Sequence, residues 1–122
     1  MVNYTGLALR AQTAAAGFPL VNGTPAILTW TPPSDGQLHR VLVSLVLYVS
    51  SAETGGTISV TYTDPGGNGH TSTLITASQG TGGKLASAMG FLPVQAGQLF
   101  SLNQSSALTG GASTVWAELW GS

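Results

Sequence analysis

The sequence predicts an all-β protein, an antiparallel β-sandwich of about seven or eight strands with a jelly-roll-like character. Two observations predict this fold class. Short apolar runs, some of them alternating with Ser and Thr, are separated by turns rich in Gly, Pro, Asn and Asp. No stretch keeps a 3.6-residue apolar period for long, so helix signals are scarce. With 122 residues, the chain has the length of one ordinary domain.

The predicted elements follow from the positions of the turn residues. Residues 1–22 are predicted to form an extended N-terminal arm, with a strand or a short helix in its middle, and residues 23–122 to form the sandwich. The segment 32–36 (PPSDG) ends the first firm strand, because two prolines lack the backbone donor and Asp-Gly favours a turn. The strands predicted for the sandwich cover residues 24–31, 38–50, 55–63, 70–77, 85–94, 98–103 and 113–120.

Composition excludes several classes of function. Charged residues make up 6% of the chain, against roughly 25% in a typical domain. Three Lys and Arg residues cannot form the basic patch that phosphate binding needs, so no nucleic-acid partner is expected. Neither a signal peptide nor an apolar run long enough to cross a membrane is apparent in the sequence. We therefore expect no membrane partner and synthesis in the cytoplasm without a signal peptide.

Residues that could carry out chemistry are few. Asp35 and Asp64 lie in predicted turns, where their carboxylates can accept backbone N–H groups, and His39 and His70 each begin a predicted strand. Cysteine is absent, which removes thiolate nucleophiles and cysteine zinc sites. The sequence also lacks a Gly-x-Ser-x-Gly elbow and the glycine-rich phosphate-binding motifs. We predict no catalytic residue, no metal site, no cofactor, and a protein that is not an enzyme.

Two predicted strands carry more apolar side chains than one buried face can account for. Side chains alternate between the two faces of a strand, so in residues 38–50 the face that begins with Val41 is the predicted core. The opposite face is also apolar, and so is the outer face of the last strand, which carries two tryptophans. We predict that this second face is an oligomer interface, formed by Leu42, Val46, Tyr48, Trp116, Glu118 and Trp120.

Three explanations for the second apolar face remain open from the residues alone. The N-terminal twenty residues of the same chain could fold over it. Neighbouring copies could cover it in a cyclic homo-oligomer, for which fold analogy favours a trimer. Its aromatic side chains could instead form an open platform for a ligand such as a glycan.

Two blocks of the sequence resemble small virion surface proteins of tailed bacteriophages. These blocks are residues 38–48 (LHRVLVSLVLY) and 55–64 (GGTISVTYTD), followed by the turn at 94–97 (VQAG) and an aromatic-rich last strand. The likeness covers residues 38–120, and His39 stands where the family pattern often has tyrosine. The family pattern is structural, so it transfers no functional residue to this chain.

The resemblance implies a capsid decoration, or cement, protein. Such a protein is a non-enzymatic structural component on the virion exterior, made in the host cytoplasm, that docks on the major capsid protein and reinforces the shell. It also implies a homotrimer, with the receptor- or glycan-binding head domain of a tail fibre or spike as the alternative. The arm is expected to reach the shell through apolar residues spaced for an extended strap: Val2, Tyr4, Leu7, Leu9, Phe18 and Leu20.

Overall fold

The computed structural model describes residues 6–20, 23–49, 57–76, 84–105 and 113–122, without the side chains of residues 76 and 84–86. These residues form nine β-strands and no helix, and hence no helix that could cross a membrane. The strands are β1 (Ala8–Gln12), β2 (Phe18–Pro19), β3 (Ala26–Trp30), β4 (His39–Val49), β5 (Thr57–Thr63), β6 (Gly69–Thr76), β7 (Lys84–Val94), β8 (Phe100–Gln104) and β9 (Ser113–Gly121).

The strands form two antiparallel sheets, which confirms the predicted sandwich. Sheet I has the order β1-β9-β4-β7, with β2 paired to a further part of β9, and sheet II has the order β3-β8-β5-β6. From β2 onward, successive strands lie in different sheets, apart from the β5–β6 hairpin.

The core lies between the two sheets and follows the alternation of the strands. In β4 the residues Val41, Val43, Leu45, Leu47 and Val49 are all buried, as the sequence predicts. They meet the inward side chains of β5 and β8 from sheet II. The fully buried apolar side chains among them are Phe100, Ile58, Leu102 and Val60.

The N-terminal segment is paired to the last strand. β1 extends sheet I beyond β9, with Leu9 opposite Trp120, and β2 pairs Phe18 with Val115. Leu20 is buried in the main core. The described part of the predicted arm is therefore extended and hydrogen-bonded to β9. Residues 21 and 22 lie outside the described residues, so the domain boundary after residue 22 stays a prediction.

Three connections are tied together at one end of the sandwich, which we call the loop end. They are the β3–β4 loop (residues 31–38), the β5–β6 turn (64–68) and the β7–β8 turn (95–99). The backbone N–H of Gln95 donates to Thr63 O at 2.8 Å, and that of Gly97 donates to Pro32 O at 2.9 Å. A cavity of about 490 Å³ lies between the three connections.

Candidate functional site

The outer face of sheet I, which points away from sheet II, carries most of the exposed large apolar side chains of the described residues. Met89 is 67% exposed and Phe91 56%, and both lie on β7. Val46 of β4, Trp116 of β9 and Leu9 of β1 are also exposed. Contiguous apolar surface of this kind typically marks an interface or a ligand groove.

Strand register brings these side chains into rows across the face, because paired residues of antiparallel strands point to the same side. One row near the loop end joins all four strands through the pairs Leu9–Trp120, Trp120–Leu42 and Leu42–Phe91. Phe91 therefore continues a row whose middle members are large apolar side chains.

The next two rows lie further from the loop end. Ser44 of β4 lies between Glu118 of β9 and Met89 of β7, and Val46 lies opposite Trp116. Alternation also places Arg40 on this face. The charged residues on the described part of the outer face are thus Arg40 and Glu118, one of each sign.

The chain itself covers one part of the outer face. Leu7 packs on Leu42 and Trp120 in a small cluster in which all three are buried. These two predicted interface residues are therefore covered within the monomer. Only the first of the three explanations from the sequence, coverage by the N-terminal segment, applies to this part of the face.

The turn between β1 and β2 covers a second part. The indole Nε1 of Trp116 donates to Ala15 O at 3.0 Å. Gly17, with a φ of +85°, lets this turn lie close to β9: a Cβ there would stand 2.4 Å from Thr114 Cγ2 and 2.9 Å from Trp116 Cε2. A cavity of about 290 Å³ remains between this turn and the Val46–Trp116 pair.

The other predicted interface residues have intermediate or higher exposure. Val46 is 40% exposed and Trp116 37%, while Tyr48 and Glu118 are half-buried. The sequence-based prediction missed Met89 and Phe91, the two most exposed large apolar side chains of the face. The alternation of side chains along β7 could have identified them, because it places Met89 and Phe91 on one face and Leu92 and Val94 on the other.

The predicted docking residues of the arm are separated by the fold. Leu7 and Leu20 are buried inside the chain, Phe18 is half-buried, and Leu9 is 38% exposed on the outer face. Val2 and Tyr4 lie outside the described residues. Their role as docking residues stays a prediction.

Two His–Asp pairs lie at the loop end. His39 Nε2 is 2.8 Å from Asp35 Oδ1 and His70 Nε2 is 2.7 Å from Asp64 Oδ2. His70 stacks on the ring of Tyr62, with 5.1 Å between ring centroids. In the part of the chain that the structure describes, no group of three or more metal-binding side chains comes together.

Asp64 organises the β5–β6 turn. Its carboxylate accepts the backbone N–H groups of Gly66 at 2.9 Å and Asn68 at 3.0 Å. The hydrogen bond from His70, followed by the one from the Asn68 backbone, lowers the pKa of Asp64 from 3.8 to about 2. The ionised carboxylate is therefore the form that holds this turn.

A carbon-detected NMR titration of the Asp64 carboxyl is expected to show a midpoint near 2. Since the folded-state pKa is depressed, the stabilisation from this carboxylate is complete above its ordinary pKa of 3.8 and is lost as pH falls through about 2. In a His70→Gln variant the midpoint should move back towards 3.8, with His39→Gln as the control that leaves it in place. An unchanged midpoint in the His70 variant would contradict this assignment of cause.

The fold and the outer face together define a β-sandwich protein with a partly covered apolar sheet face. No protein-family model matches the chain, and no curated protein does.

Solved structures similar to the chain include three of infectious bursal disease virus. The structure of the Gx strain has a TM-score of 0.46 and 12% identity over 97% of this chain and 31% of that chain. The VP2 subviral particle has a TM-score of 0.44 and 12% identity over 94% and 29%. The Gt strain has a TM-score of 0.39 and 13% identity over 96% and 30%. This chain spans less than a third of the length of each of them.

Proposed function

We propose that the protein is a non-enzymatic structural component of a virion, which docks on the outside of the shell and binds the major capsid protein there. In this proposal it decorates and reinforces the shell as a homotrimer, and the outer face of sheet I makes the contacts between copies. The observation that carries the proposal is the exposed apolar part of that face, centred on Met89, Phe91, Val46 and Trp116. The sequence resemblance to phage virion surface proteins supports the same role.

The charge pattern of the face favours a further copy of the chain as its occupant. Arg40 and Glu118 are of opposite sign and lie in different rows, so a second copy can offer each of them a partner. A chain with only 6% charged residues has little like-charge repulsion to overcome on association. Apolar burial then supplies the stabilising free energy, at about 25 cal/mol per Å².

Docking on a shell would act through mass action. A protein that binds the assembled shell, and not its dissociated subunits, shifts the equilibrium towards the assembled state. This mechanism needs contact area rather than a catalytic site. This requirement agrees with the described surface, where the exposed apolar part of the outer face of sheet I is the most prominent feature.

The solution mass is the first test of the proposal. Light scattering at two protein concentrations is expected to give a mass near three times 12.3 kDa. A mass of 12.3 kDa at both concentrations would contradict self-association through the outer face.

A glycan-binding head domain is the second candidate function, and one observation favours it. Trp116 is partly exposed beside the cavity of about 290 Å³, whose lining includes the polar residues Gln12, Ser44 and Glu118. An aromatic platform with a few polar groups beside it is a common sugar-binding arrangement. Binding on a glycan array that a Trp116→Ala variant loses would favour this function over decoration. On virions, antibody labelling over the whole shell would favour decoration, and labelling at fibre tips the head domain.

A further inference from the structure

His39, the first residue of β4, is buried at the loop end with both ring nitrogens facing acceptors. Only 5% of the residue is exposed. Its Nδ1 is 2.5 Å from the backbone oxygen of Ser122, and its Nε2 is 2.8 Å from Asp35 Oδ1. Carbonyl and carboxylate oxygens only accept hydrogen bonds, so both contacts are satisfied only when both ring nitrogens carry a proton.

We propose that the doubly protonated His39 ring holds the β3–β4 loop against the end of β9 through its two hydrogen bonds, and releases the loop when one ring proton is lost. We call this arrangement the catch. The inference is independent of the proposed virion role, because it rests on the geometry of the loop end alone.

The catch connects the β3–β4 loop to the end of β9, and the described contacts include few other interactions between these two segments. On one side, Asp35 also accepts the backbone N–H of Gln37 at 2.9 Å and so shapes the loop. On the other side, residue 122 is held to β4, since Ser122 N donates to Arg40 O at 3.2 Å and Arg40 N donates to Ser122 Oγ at 3.0 Å. His39 links the loop to this fixed strand end.

Three charged groups lie on the elements around His39. Asp35 attracts the imidazolium, while the Arg10 guanidinium opposes it. The Arg10 guanidinium lies over the ring of Trp30, 5.1 Å from the centroid, and its Nε donates to Gly121 O at 3.1 Å. The Trp30 ring in turn makes a T-shaped contact with His39, with 6.3 Å between centroids. Arg40, the next residue in β4, is exposed on the opposite face of the strand.

The contacts that favour the protonated His39 ring outweigh those that disfavour it. The hydrogen bond to the Ser122 carbonyl, and then the one to Asp35, raise the pKa of His39 above its ordinary 6.5, although burial lowers it. A raised folded-state pKa means that the stabilisation is complete below pH 6.5 and is lost as pH rises through the folded value. The catch is therefore closed below pH 6.5 and opens as pH rises through the raised folded-state pKa of His39.

Deprotonation should move the loop rather than the strand. A neutral ring that keeps its Nδ1 proton still donates to Ser122, but it turns an Nε2 lone pair towards the Asp35 carboxylate. The side chain of Asp35 is 43% exposed. Its carboxylate can therefore move away from the neutral ring and be hydrated instead. Ser34, Gly36, Gln37 and Leu38 of the same loop line the cavity of about 490 Å³, and an open catch would widen it.

Nitrogen NMR of the His39 ring, together with hydrogen exchange at the Gln37 amide, tests the catch on the full chain. At pH 6 both ring nitrogens are expected to show the imidazolium pattern. After correction for intrinsic exchange rates, protection of the Gln37 amide should fall with rising pH. The fall is expected to be about tenfold for each unit by which closure raises the pKa of His39.

Three variants test whether His39 and Asp35 cause this pH dependence. Asp35→Asn keeps an acceptor but removes its charge, and should shift the His39 titration to lower pH. His39→Gln should abolish the pH dependence of Gln37 protection. His70→Gln is the matched control, because it alters the other His–Asp pair of the loop end, and it should leave both readouts unchanged.

A neutral His39 ring at pH 6, or Gln37 protection that does not depend on pH in the natural sequence, would overturn the proposal. If His39→Gln does not fold, the ring titration of the unaltered chain and of the Asp35 variant still decides the question.

Discussion

For the proposed homotrimer, replacing Met89 and Phe91 together with serine is expected to give monomers while the sandwich stays folded. Both side chains are more than half exposed in the single chain, so their loss costs the monomer little. Burying each in an interface is worth about 1.5–3 kcal/mol. The double change should therefore weaken association by roughly two to four orders of magnitude, which light scattering over a dilution series would measure.

A matched control is available in Leu38 and Leu99. They are 51% and 55% exposed, but both lie at the loop end rather than on the outer face of sheet I. The Leu38→Ser/Leu99→Ser variant removes a comparable amount of exposed apolar surface and should keep the mass of the unaltered protein. Equal dissociation in both variants, or in neither, would show that the outer face does not hold the copies together.

Deletion of residues 2–20 is expected to destabilise or unfold the domain. The sequence alone favours a removable arm that leaves a folded sandwich behind. In the structure, β1 and β2 pair with β9, Leu7 covers Leu42 and Trp120, and Leu20 is part of the core. Loss of a buried leucine alone costs about 2–5 kcal/mol, against a total stability of about 5–15 kcal/mol for a typical domain. Urea denaturation would measure the loss.

Two single substitutions separate the core role of this segment from a docking role. Leu20→Ala should lower the free energy of unfolding by about 2–5 kcal/mol, because Leu20 is 6% exposed. Leu9→Ala, at a site 38% exposed, should change it by less than about 1 kcal/mol. A deletion variant with an unchanged unfolding free energy would instead support a detachable arm.

The strands and their buried faces could be predicted because they are encoded locally. A two-residue alternation records which side of a strand meets the core, and Gly, Pro and Asp-Gly record where the chain turns. Val41 and the alternate residues after it in β4 were predicted to face the core in this way and are buried. The same pattern identified the apolar outer face of β4 and β9.

Which part of that outer face is covered and which part is exposed could not be predicted from the sequence, because it depends on which strands become neighbours. Leu7 reaches Trp120 only because β1 pairs with β9, and Phe91 adjoins Leu42 only because β7 pairs with β4. The predicted interface is thereby divided into a covered part and an exposed part, and the most exposed large apolar side chains of the face lie on β7, which the predicted interface did not include.

The sequence by itself determined that this chain forms an antiparallel β-sandwich with a second apolar face and few groups capable of chemistry, since periodicity and composition are properties of neighbouring residues. The tertiary structure decided which part of that face stays open and which titratable group is buried between acceptors. His39 meets Ser122 across 83 residues of sequence. Contacts at that separation arise from strand order and register, which no local pattern records.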